Sequence, residues 1–359
     1  METVLVISAE TFSGKSAVCV TLGQRLRRDG YRVGYLKPLS LRVRRAEEAA
    51  YDEDTAFVRE VFGLEEPLEQ LSPILLTPRL LEGLLRGEAQ PDYRQRVEEA
   101  FQAVSRGKDV MILEGPNDWS EGTIVGLPAA RVAEMFQAHV LLVSNYQSLL
   151  ETDNILAVRE AMAGRSFLGV VLNRVPRARL EMARQVVRPF LEERGIPVLA
   201  VLQQDPLLCA VSVNELAEHL GAQILCCPDH GEDLVETMMV GAMSVESALS
   251  YFRRQANKAV ITGGDRVDIQ LAALETPTTC LILTGGMRPN PLILTRAEEQ
   301  CVPILLVPDD TMTVVRRAEE LFGRARFRQT SKIQRFESLL EAHFDFPRFY
   351  RMLNLPPKE

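Results

Sequence analysis

The feature that most constrains this chain is a short loop between its first apolar run and its first helical pattern. Residues 4–8 form an apolar run of strand length, and residues 9–16 then read Ala-Glu-Thr-Phe-Ser-Gly-Lys-Ser. A helix is predicted to start near Ala17. A strand, a Gly-Lys-Ser loop and a helix in this order direct backbone amides into one concavity that binds phosphate. The sequence therefore predicts a phosphate-binding loop (P-loop) that opens an α/β nucleotide-binding domain.

The side chains of this loop have distinct expected roles. Lys15 is predicted to reach the outer phosphates of the nucleotide, and the Ser16 hydroxyl is placed to ligate Mg²⁺. The strict pattern has glycine at position 9, where this chain has Ala9. A strand-to-helix turn that merely uses glycine is the alternative, and Gly-Lys-Ser at such a junction favours the nucleotide site. We predict ATP as the nucleotide, held within the loop by Thr11, Ser13, Gly14, Lys15, Ser16 and Ala17.

The first two hundred residues alternate short apolar runs with longer amphipathic stretches, which is typical of a parallel sheet. Six runs look buried on both faces, and they cover residues 4–8, 33–37, 110–114, 139–144, 167–173 and 198–201. Helical patterns lie between them, at residues 15–29, 54–61, 91–105, 129–137, 152–162 and 179–194. We therefore predict a P-loop NTPase-type parallel sheet with flanking helices over residues 1–205.

The rest of the chain has its own organisation. Residues 206–322 show a shorter alternation of strand and helix and predict a second, smaller α/β domain. Residues 323–359 form an aromatic-rich helical extension. Such an extension more often docks on its parent domain or on another subunit than on a membrane.

Charge and hydropathy narrow the class of protein. The net charge of -8 disfavours a general nucleic-acid binder, which needs clustered, uncompensated Lys and Arg. No uncharged run reaches the roughly 18 residues that span a bilayer, and the amino terminus has no basic leader. We expect a cytoplasmic protein without a nucleic-acid or membrane partner.

Charged side chains follow several of the predicted strands. Lys37 ends the second strand, where open α/β sheets bind ligands, and it is either a catalytic clamp for phosphate or carboxylate or an ordinary surface lysine. Glu114 ends another strand, and Asp54 lies between them. Both carboxylates are candidate Mg²⁺ ligands, although Asp54 could instead cap a helix. Asn173 could read the edge of a purine base or simply form a turn.

Taken together, these motifs resemble the dethiobiotin synthetase and cobyrinic acid diamide synthase group of P-loop proteins over residues 1 to about 205. The resemblance rests on the loop, on Gly-Tyr-Leu-Lys-Pro at residues 34–38, on Glu-Gly at 114–115 and on Val-Leu-Asn-Arg-Val at 171–175. It implies that Lys15 and Thr11 contact phosphates, that Ser16, Asp54 and Glu114 hold Mg²⁺, that Lys37 faces the substrate, and that Asn173 contacts the base. The segments after residues 38 and 115 lack the small, glycine-containing turns of the biotin enzymes, so dethiobiotin synthesis is not expected.

The second domain resembles the DRTGG domain of long bacterial phosphate acetyltransferases. The resemblance rests on Ile-Thr-Gly-Gly-Asp-Arg-Val-Asp-Ile at residues 261–269 and Leu-Thr-Gly-Gly-Met-Arg-Pro at 283–289. The chain looks like a free-standing form of this family, with no room for the acetyl-transferring domain, so acetyl transfer is not expected. The resemblance implies a regulatory ligand near Gly263, Gly264, Asp265, Arg266, Gly285 and Gly286. Turn geometry that requires positive φ is the alternative explanation for the paired glycines.

These features favour an ATP- and Mg²⁺-binding regulatory or ligand-sensing protein, with a small-molecule effector at the second domain and slow ATP hydrolysis as an option. An ATP-dependent ligase that activates a carboxylate for amide formation is the first alternative, with Lys15 and Lys37 as catalytic residues. A scaffold with a vestigial loop is the second, and Ala9 keeps it open. Domains of both types tend to self-associate, so we expect a homodimer or a larger homo-oligomer.

Overall fold

The computed structural model describes residues 1–41, 43–45, 50–88, 91–322, 327 and 329–356. The chain divides into two compact units. The first unit comprises Met1–Gln204 together with Phe327–Glu359, and the second comprises Asp205–Arg326.

The first unit alternates strands and helices along most of its length. Its strands are β1 (Glu2–Ser8), β2 (Val33–Leu36), β3 (Leu39–Ser40), β4 (Val43–Arg45), β5 (Ala50–Asp52), β6 (Ile74–Leu75), β7 (Val110–Glu114), β8 (His139–Asn145), β9 (Phe167–Val175) and β10 (Val198–Gln203). The helices between them are α1 (Lys15–Arg28), α2 (Glu53–Phe62), α3 (Leu68–Leu71), α4 (Pro78–Leu85), α5 (Tyr93–Val104), α6 (Ala129–Met135), α7 (Glu151–Ala161), α8 (Leu180–Met182) and α9 (Arg188–Glu192).

Six of these strands form one sheet in the order β10-β9-β8-β1-β7-β2, and every pairing in it is parallel. The predicted parallel α/β sheet is therefore confirmed. Its central strands are buried on both faces because helices cover both sides, which explains their unbroken apolar runs. The register pairs Val6 with Glu114, so β1 and β7 end side by side at the edge where the P-loop begins.

Between β2 and α5, the sequence predicted only the helix at residues 54–61, which the structure has as α2, and missed the shorter elements around it. This segment also contains β3 and β6, which pair in parallel, the antiparallel pair β4 and β5, and the helices α3 and α4. Most of these elements have only two to four residues, too few for a hydrophobic period to show.

One long helix was expected over residues 179–194, but the structure has two short helices joined by a π-helical turn, Ala183–Val187. Pro189 explains the interruption, because it has no N–H to donate and its ring crowds the preceding turn.

The second unit has its own sheet and core. Its strands are β11 (Val211–Ser212), β12 (Gln223–Ile224), β13 (Leu234–Val235), β14 (Thr237–Val240), β15 (Lys258–Gly263), β16 (Thr278–Thr284) and β17 (Ile304–Leu306). Its helices are α10 (Pro206–Cys209), α11 (Val213–Leu220), α12 (Val245–Phe252), α13 (Val267–Leu274), α14 (Pro291–Glu299) and α15 (Thr311–Phe322). Strands β14, β15, β16 and β17 are parallel neighbours, and β12 adds an antiparallel edge beside β17.

The chain then returns to the first unit through α16 (Thr330–His343) and α17 (Phe346–Met352). The buried ring of Phe349 and the backbone bond from Asp345 N–H to Leu199 O (2.8 Å) attach this segment beside β10. Arg28 of α1 also pairs with Glu341 at 2.6 Å. The aromatic extension thus docks on the parent domain. Among the described residues, no helix has the length and apolar character needed to cross a membrane.

Candidate functional site

The loop between β1 and α1 has a conformation that only glycine suits at one position. Gly14 caps α1 with a φ of 96°. A Cβ atom built on it would lie 2.4 Å from Nδ2 of Asn173. Both the left-handed backbone and this close approach exclude a larger residue. The Gly-Lys-Ser motif therefore turns tightly into the helix, as a P-loop does.

Lys15 opens α1 and points back along the loop. Its ammonium donates a hydrogen bond to the Ser8 hydroxyl at 2.9 Å, and only 6% of the residue is exposed. Burial lowers the pKa of Lys15 to about 8, although the carboxylate of Glu114 acts in the opposite direction. No carboxylate of the described residues lies within ion-pair distance of this ammonium. An anion that entered the loop would favour the protonated, charged form.

Ser16 and Glu114 meet at the adjoining strand end. The Ser16 hydroxyl donates to Oε1 of Glu114 at 2.8 Å, and the Tyr35 hydroxyl donates to Oε2 at 2.9 Å. Glu114 is only 2% exposed. Burial raises the pKa of Tyr35 well above its usual value, and the nearby Glu114 charge adds to this effect. Tyr35 therefore remains a neutral donor that fixes the Glu114 carboxylate in place.

Lys37 lies at the centre of a cluster of three carboxylates. Its ammonium is 3.1 Å from an oxygen of Asp52, 3.1 Å from Asp54 and 3.8 Å from Glu114. Burial opposes the charge on Lys37, but Glu114, Asp54 and Asp52 outweigh it and raise the pKa of Lys37 above its usual value. Lys37 is thus not an ordinary surface lysine. It is a buried cation held by three anions.

The helix cap near this cluster differs from the prediction. Asp52, not Asp54, caps α2, because the Asp52 carboxylate accepts the Thr55 N–H at 2.7 Å and the Thr55 hydroxyl at 2.8 Å. Asp54 lies in the first turn of the helix, where its carboxylate contacts Lys37. The capping interpretation of Asp54 is therefore wrong.

Asn173 lies within β9 and not in a turn, so the turn-forming interpretation is also wrong. Its side-chain amide donates to the Ser13 carbonyl at 2.8 Å. The next residue, Arg174, has a φ of 54° and donates to the Phe12 carbonyl at 3.1 Å. These two residues brace the P-loop from the neighbouring strand, so β9 helps to set the shape of the loop.

The remaining loop residues differ in exposure. Thr11 is exposed, whereas Ser13 is 1% exposed and its hydroxyl has no hydrogen-bond partner in the part of the chain that the structure describes. Ala17 is buried in the core. Ala17 would contact a phosphate only through its backbone amide, as in other helix-terminal anion sites, whereas Ser13 could use its hydroxyl as well.

The donor groups near the loop fit Mg²⁺, which prefers oxygen ligands. Ser16 supplies a hydroxyl beside Glu114, and Asp54 and Glu114 supply two carboxylates beside the Lys37 ammonium. Within the described ranges, no three His, Cys, Asp or Glu side chains are arranged to hold a metal ion by themselves. An ion here would take its other ligands from phosphate oxygens and water, as is usual for Mg²⁺ in nucleotide sites.

In the second unit, the six predicted residues lie at the carboxyl ends of β15 and β16. A Cβ atom on Gly264 would lie 2.1 Å from the Met287 carbonyl oxygen, so this glycine permits a close backbone approach. Gly285 and Gly286 have φ values of 80° and 66°. Turn geometry thus accounts for two of the four glycines, Gly285 and Gly286, and close packing accounts for Gly264.

The backbone amides of these same three glycines are already hydrogen-bonded. Gly264 N–H donates to the Thr284 carbonyl, Gly285 N–H to that of Asp309 and Gly286 N–H to that of Val307. A ligand at this edge would therefore be bound mainly by side chains. Asp265 and Arg266 are the polar side chains of the set, and Arg266 pairs with Asp268 at 3.0 Å.

Sequence reasoning missed three residues of the P-loop site. Ser8 binds Lys15, Tyr35 binds Glu114, and Asp52 binds Lys37. Tyr35 carried a usable signal, because a tyrosine in a fully buried strand normally needs a partner for its hydroxyl. Asp52 and Ser8 had none beyond their proximity to the motifs, since their partners are set by the tertiary fold.

Comparison with known proteins agrees with this geometry. A family model described as an AAA domain matches residues 2–212, more than half of the chain. The chain belongs to this family. A second model, described as a DRTGG domain, matches residues 215–321. The predicted order, a P-loop domain followed by a DRTGG domain, is therefore confirmed.

The relatives include phosphate acetyltransferases and dethiobiotin synthetase. The phosphate acetyltransferase of Deinococcus radiodurans is 27% identical over 89% of this chain and 47% of its own length. That of Nitratidesulfovibrio vulgaris is 24% identical over 95% of this chain and 50% of its own length. The ATP-dependent dethiobiotin synthetase of Methanococcus vannielii is 30% identical over 31% of this chain and 50% of its own. The chain spans about half the length of the curated phosphate acetyltransferases it matches.

Proposed function

We propose that the first unit binds ATP with Mg²⁺, that the second unit binds a small effector, and that the chain acts as a nucleotide-dependent regulatory or sensing protein. The observation that carries the nucleotide part is the state of Lys15. Its ammonium is buried at the N-terminus of helix α1, beside a neutral hydroxyl and not beside a carboxylate. Among the described residues, no carboxylate forms an ion pair with this lysine. Phosphate oxygens of a nucleotide would supply that negative charge.

Mg²⁺ is assigned to the same site. Ser16 and Glu114 would contribute oxygen ligands, and Asp54 would bind the ion directly or through a water molecule. When bound, the ion would neutralise charge on the outer phosphates. Asn173 is assigned to the base side of the site, where its amide would act from the strand that braces the loop.

A regulatory role is better supported than carboxylate activation because of Lys37. In a ligase, this lysine would stabilise the charge on the group being transferred. Here Asp52, Asp54 and Glu114 already surround the Lys37 ammonium, so a substrate carboxylate would have to displace at least one of them. The likeness to dethiobiotin synthetase over about a third of the chain is the observation that favours the ligase.

The effector and oligomer proposals concern different surfaces. The effector is assigned to the side chains of Asp265 and Arg266, because the neighbouring glycine amides are already used. Self-association is assigned to the turn after β8, where Leu149 and Leu150 are 53% and 79% exposed. Large exposed apolar side chains of this kind are common in subunit contacts.

Calorimetric titration with ATP and Mg²⁺ tests the nucleotide proposal. The wild-type chain should bind, and Lys15→Met should lose most of the affinity because the apolar side chain keeps the volume without the charge. Lys108→Met is the matched control, since Lys108 pairs with Glu66 away from the loop and should leave binding unchanged. Equal binding, or none, in wild type and Lys15→Met would overturn the proposal. Phosphate release that rises strongly with one carboxylic acid in a panel would instead favour the ligase.

A further inference from the structure

A cavity lies in the first unit, away from the P-loop itself. It has a volume of about 300 Å³ and lies between residues 50–80 and the start of α5. This volume is at the lower end of the range for small-molecule sites. The cavity is therefore large enough for a metabolite of few atoms and too small for a nucleotide.

The walls of this cavity are mainly apolar, and the charged side chains that line it are Arg96, Glu69 and Asp52, of which Asp52 is already bound to Lys37 and Thr55. Leu68, Ile74 and Leu80 provide aliphatic surface. Arg96 and Glu69 also line the cavity, and both are exposed, so each can face a ligand at the opening. Arg96 forms no ion pair or side-chain hydrogen bond within the described part of the chain. The pair therefore offers charge of both signs beside an aliphatic wall.

Ser72 adds a polar group inside the cavity. It lines the wall, is only 4% exposed, and its hydroxyl has no hydrogen-bond partner among the described residues. A buried hydroxyl without a partner is unfavourable. Rotation about its Cα–Cβ bond would let this hydroxyl bond to a polar group of a bound molecule. Buried groups of this kind need an explanation in a native structure, and a bound ligand provides one.

We propose that this cavity binds a small aliphatic α-amino acid. The carboxylate of the ligand would pair with Arg96, its ammonium with Glu69, and its side chain would lie against Leu68, Ile74 and Leu80. A simple carboxylic acid or amine would satisfy only one of the two charges. Complementary charges and an apolar wall are the usual basis of specificity in such sites.

The cavity also contacts the charged cluster of the nucleotide site. Asp52 lines the cavity, and its carboxylate binds Lys37 at 3.1 Å. Lys37 in turn lies 3.8 Å from Glu114, the proposed Mg²⁺ ligand. A molecule in the cavity would therefore act on the position of Asp52, and through it on Lys37. This coupling rests on the proposed binding of ATP and Mg²⁺, whereas the amino-acid site itself does not.

Calorimetric titration of the full chain with L-leucine, in the absence of nucleotide, tests the site. Leucine should bind, and 4-methylpentanoate and 3-methylbutylamine, which each lack one charge, should bind at least about tenfold more weakly. Arg96→Gln should weaken leucine binding by about tenfold or more. Arg94→Gln is the matched control, because Arg94 is an exposed arginine of the same helix that pairs with Glu98 at 2.8 Å and does not line the cavity.

Three results would overturn the assignment. The first is no leucine binding, the second is equal binding of leucine and 4-methylpentanoate, and the third is equal effects of Arg96→Gln and Arg94→Gln. A repeat titration with saturating ATP and Mg²⁺ should change leucine affinity about fivefold or more, and leucine should change ATP affinity by the same factor. Unchanged affinity in the presence of bound ATP would overturn the coupling. If ATP does not bind, the nucleotide proposal fails, and the nucleotide-free titration still decides the amino-acid site.

Discussion

The ammonium of Lys15 lies 2.9 Å from the hydroxyl of Ser8, within a site where burial lowers the pKa of Lys15 to about 8. A neutral hydroxyl does little to stabilise the lysine charge, whereas a phosphate would stabilise it strongly. The protonation of Lys15 should therefore depend on whether a nucleotide is present.

Binding of ATP should depend on pH through Lys15. A bound phosphate raises the pKa of Lys15, so above pH 8 binding must be accompanied by proton uptake. Below pH 8, Lys15 is protonated with or without ligand, so it should not make the affinity for ATP and Mg²⁺ depend on pH. Above pH 8, the affinity should fall by up to about tenfold per pH unit. Calorimetry at pH 8.5 in two buffers of different ionisation enthalpy would measure the uptake. Proton uptake that persists in Lys15→Met would assign it to another group.

Gly14→Ala should damage the nucleotide site through the loop conformation. The new Cβ would meet Nδ2 of Asn173 at 2.4 Å, and the φ of 96° is strained for any L-residue. We expect a loss of roughly 1–3 kcal/mol in the free energy of unfolding, with loss of ATP binding. Gly126→Ala is the control, because its φ is 71° and nothing lies within 4 Å of the added atom.

The two glycine variants separate backbone strain from steric contact. Gly126→Ala should cost about 1 kcal/mol from its left-handed backbone alone and should leave nucleotide binding intact. Urea unfolding and calorimetry measure the two effects. If Gly14→Ala behaves like Gly126→Ala in both assays, the contact with Asn173 has no part in shaping the loop.

Glu114→Gln should separate nucleotide binding from its dependence on Mg²⁺. The amide keeps the shape of the side chain, but its single oxygen can accept from only one of the Ser16 and Tyr35 hydroxyls, and the other hydroxyl must turn to accept from the new NH2 group. The amide is also a poor ligand for a hard cation. ATP affinity in the presence of Mg²⁺ should fall towards the value without it. Glu98→Gln, an exposed residue paired with Arg94, should keep the full Mg²⁺ effect. A full Mg²⁺ effect in Glu114→Gln would remove this residue from the metal site.

The parts of this site differ in how far the sequence could predict them. The loop, Lys37 and Glu114 follow directly from strand-end positions in a parallel sheet, so short motifs located them. The role of Asp52 could not be predicted, because it depends on α2 beginning at Glu53, one residue before the predicted start, and on β5 pairing with β4. Asn173 was placed on the correct strand, but only the tertiary structure shows that its amide braces Ser13. Local sequence patterns therefore predict the strands and helices that carry the site. The contacts of each side chain depend on residues distant in sequence.

Asp52→Ala should destabilise the first unit strongly. It removes the cap of α2 and leaves Lys37 with one fewer counter-charge in a buried position. Removing one partner of a buried ion pair typically costs about 3–5 kcal/mol. Lys37→Met combined with Asp52→Ala should cost less than the sum of the two single losses, because both partners of one ion pair are removed together, although Asp54 and Glu114 then lose their shared cation. A double-mutant cycle from urea unfolding measures this departure from additivity. Strictly additive losses would show that the two side chains are not coupled.

Phe349→Ala tests whether the carboxyl-terminal helices are an integral part of the first unit. The Phe349 ring is 1% exposed and contacts the ring of Phe344 with centroids 5.5 Å apart. Its removal should cost about 3–5 kcal/mol in the free energy of unfolding, as for other large core side chains. Phe190→Ala is the control, since Phe190 is 36% exposed and its loss should cost far less. If this segment is only a loosely attached tail, both variants will unfold at nearly the wild-type urea concentration. In that case the Phe349 ring is not part of the core of the first unit, and its removal creates no cavity there.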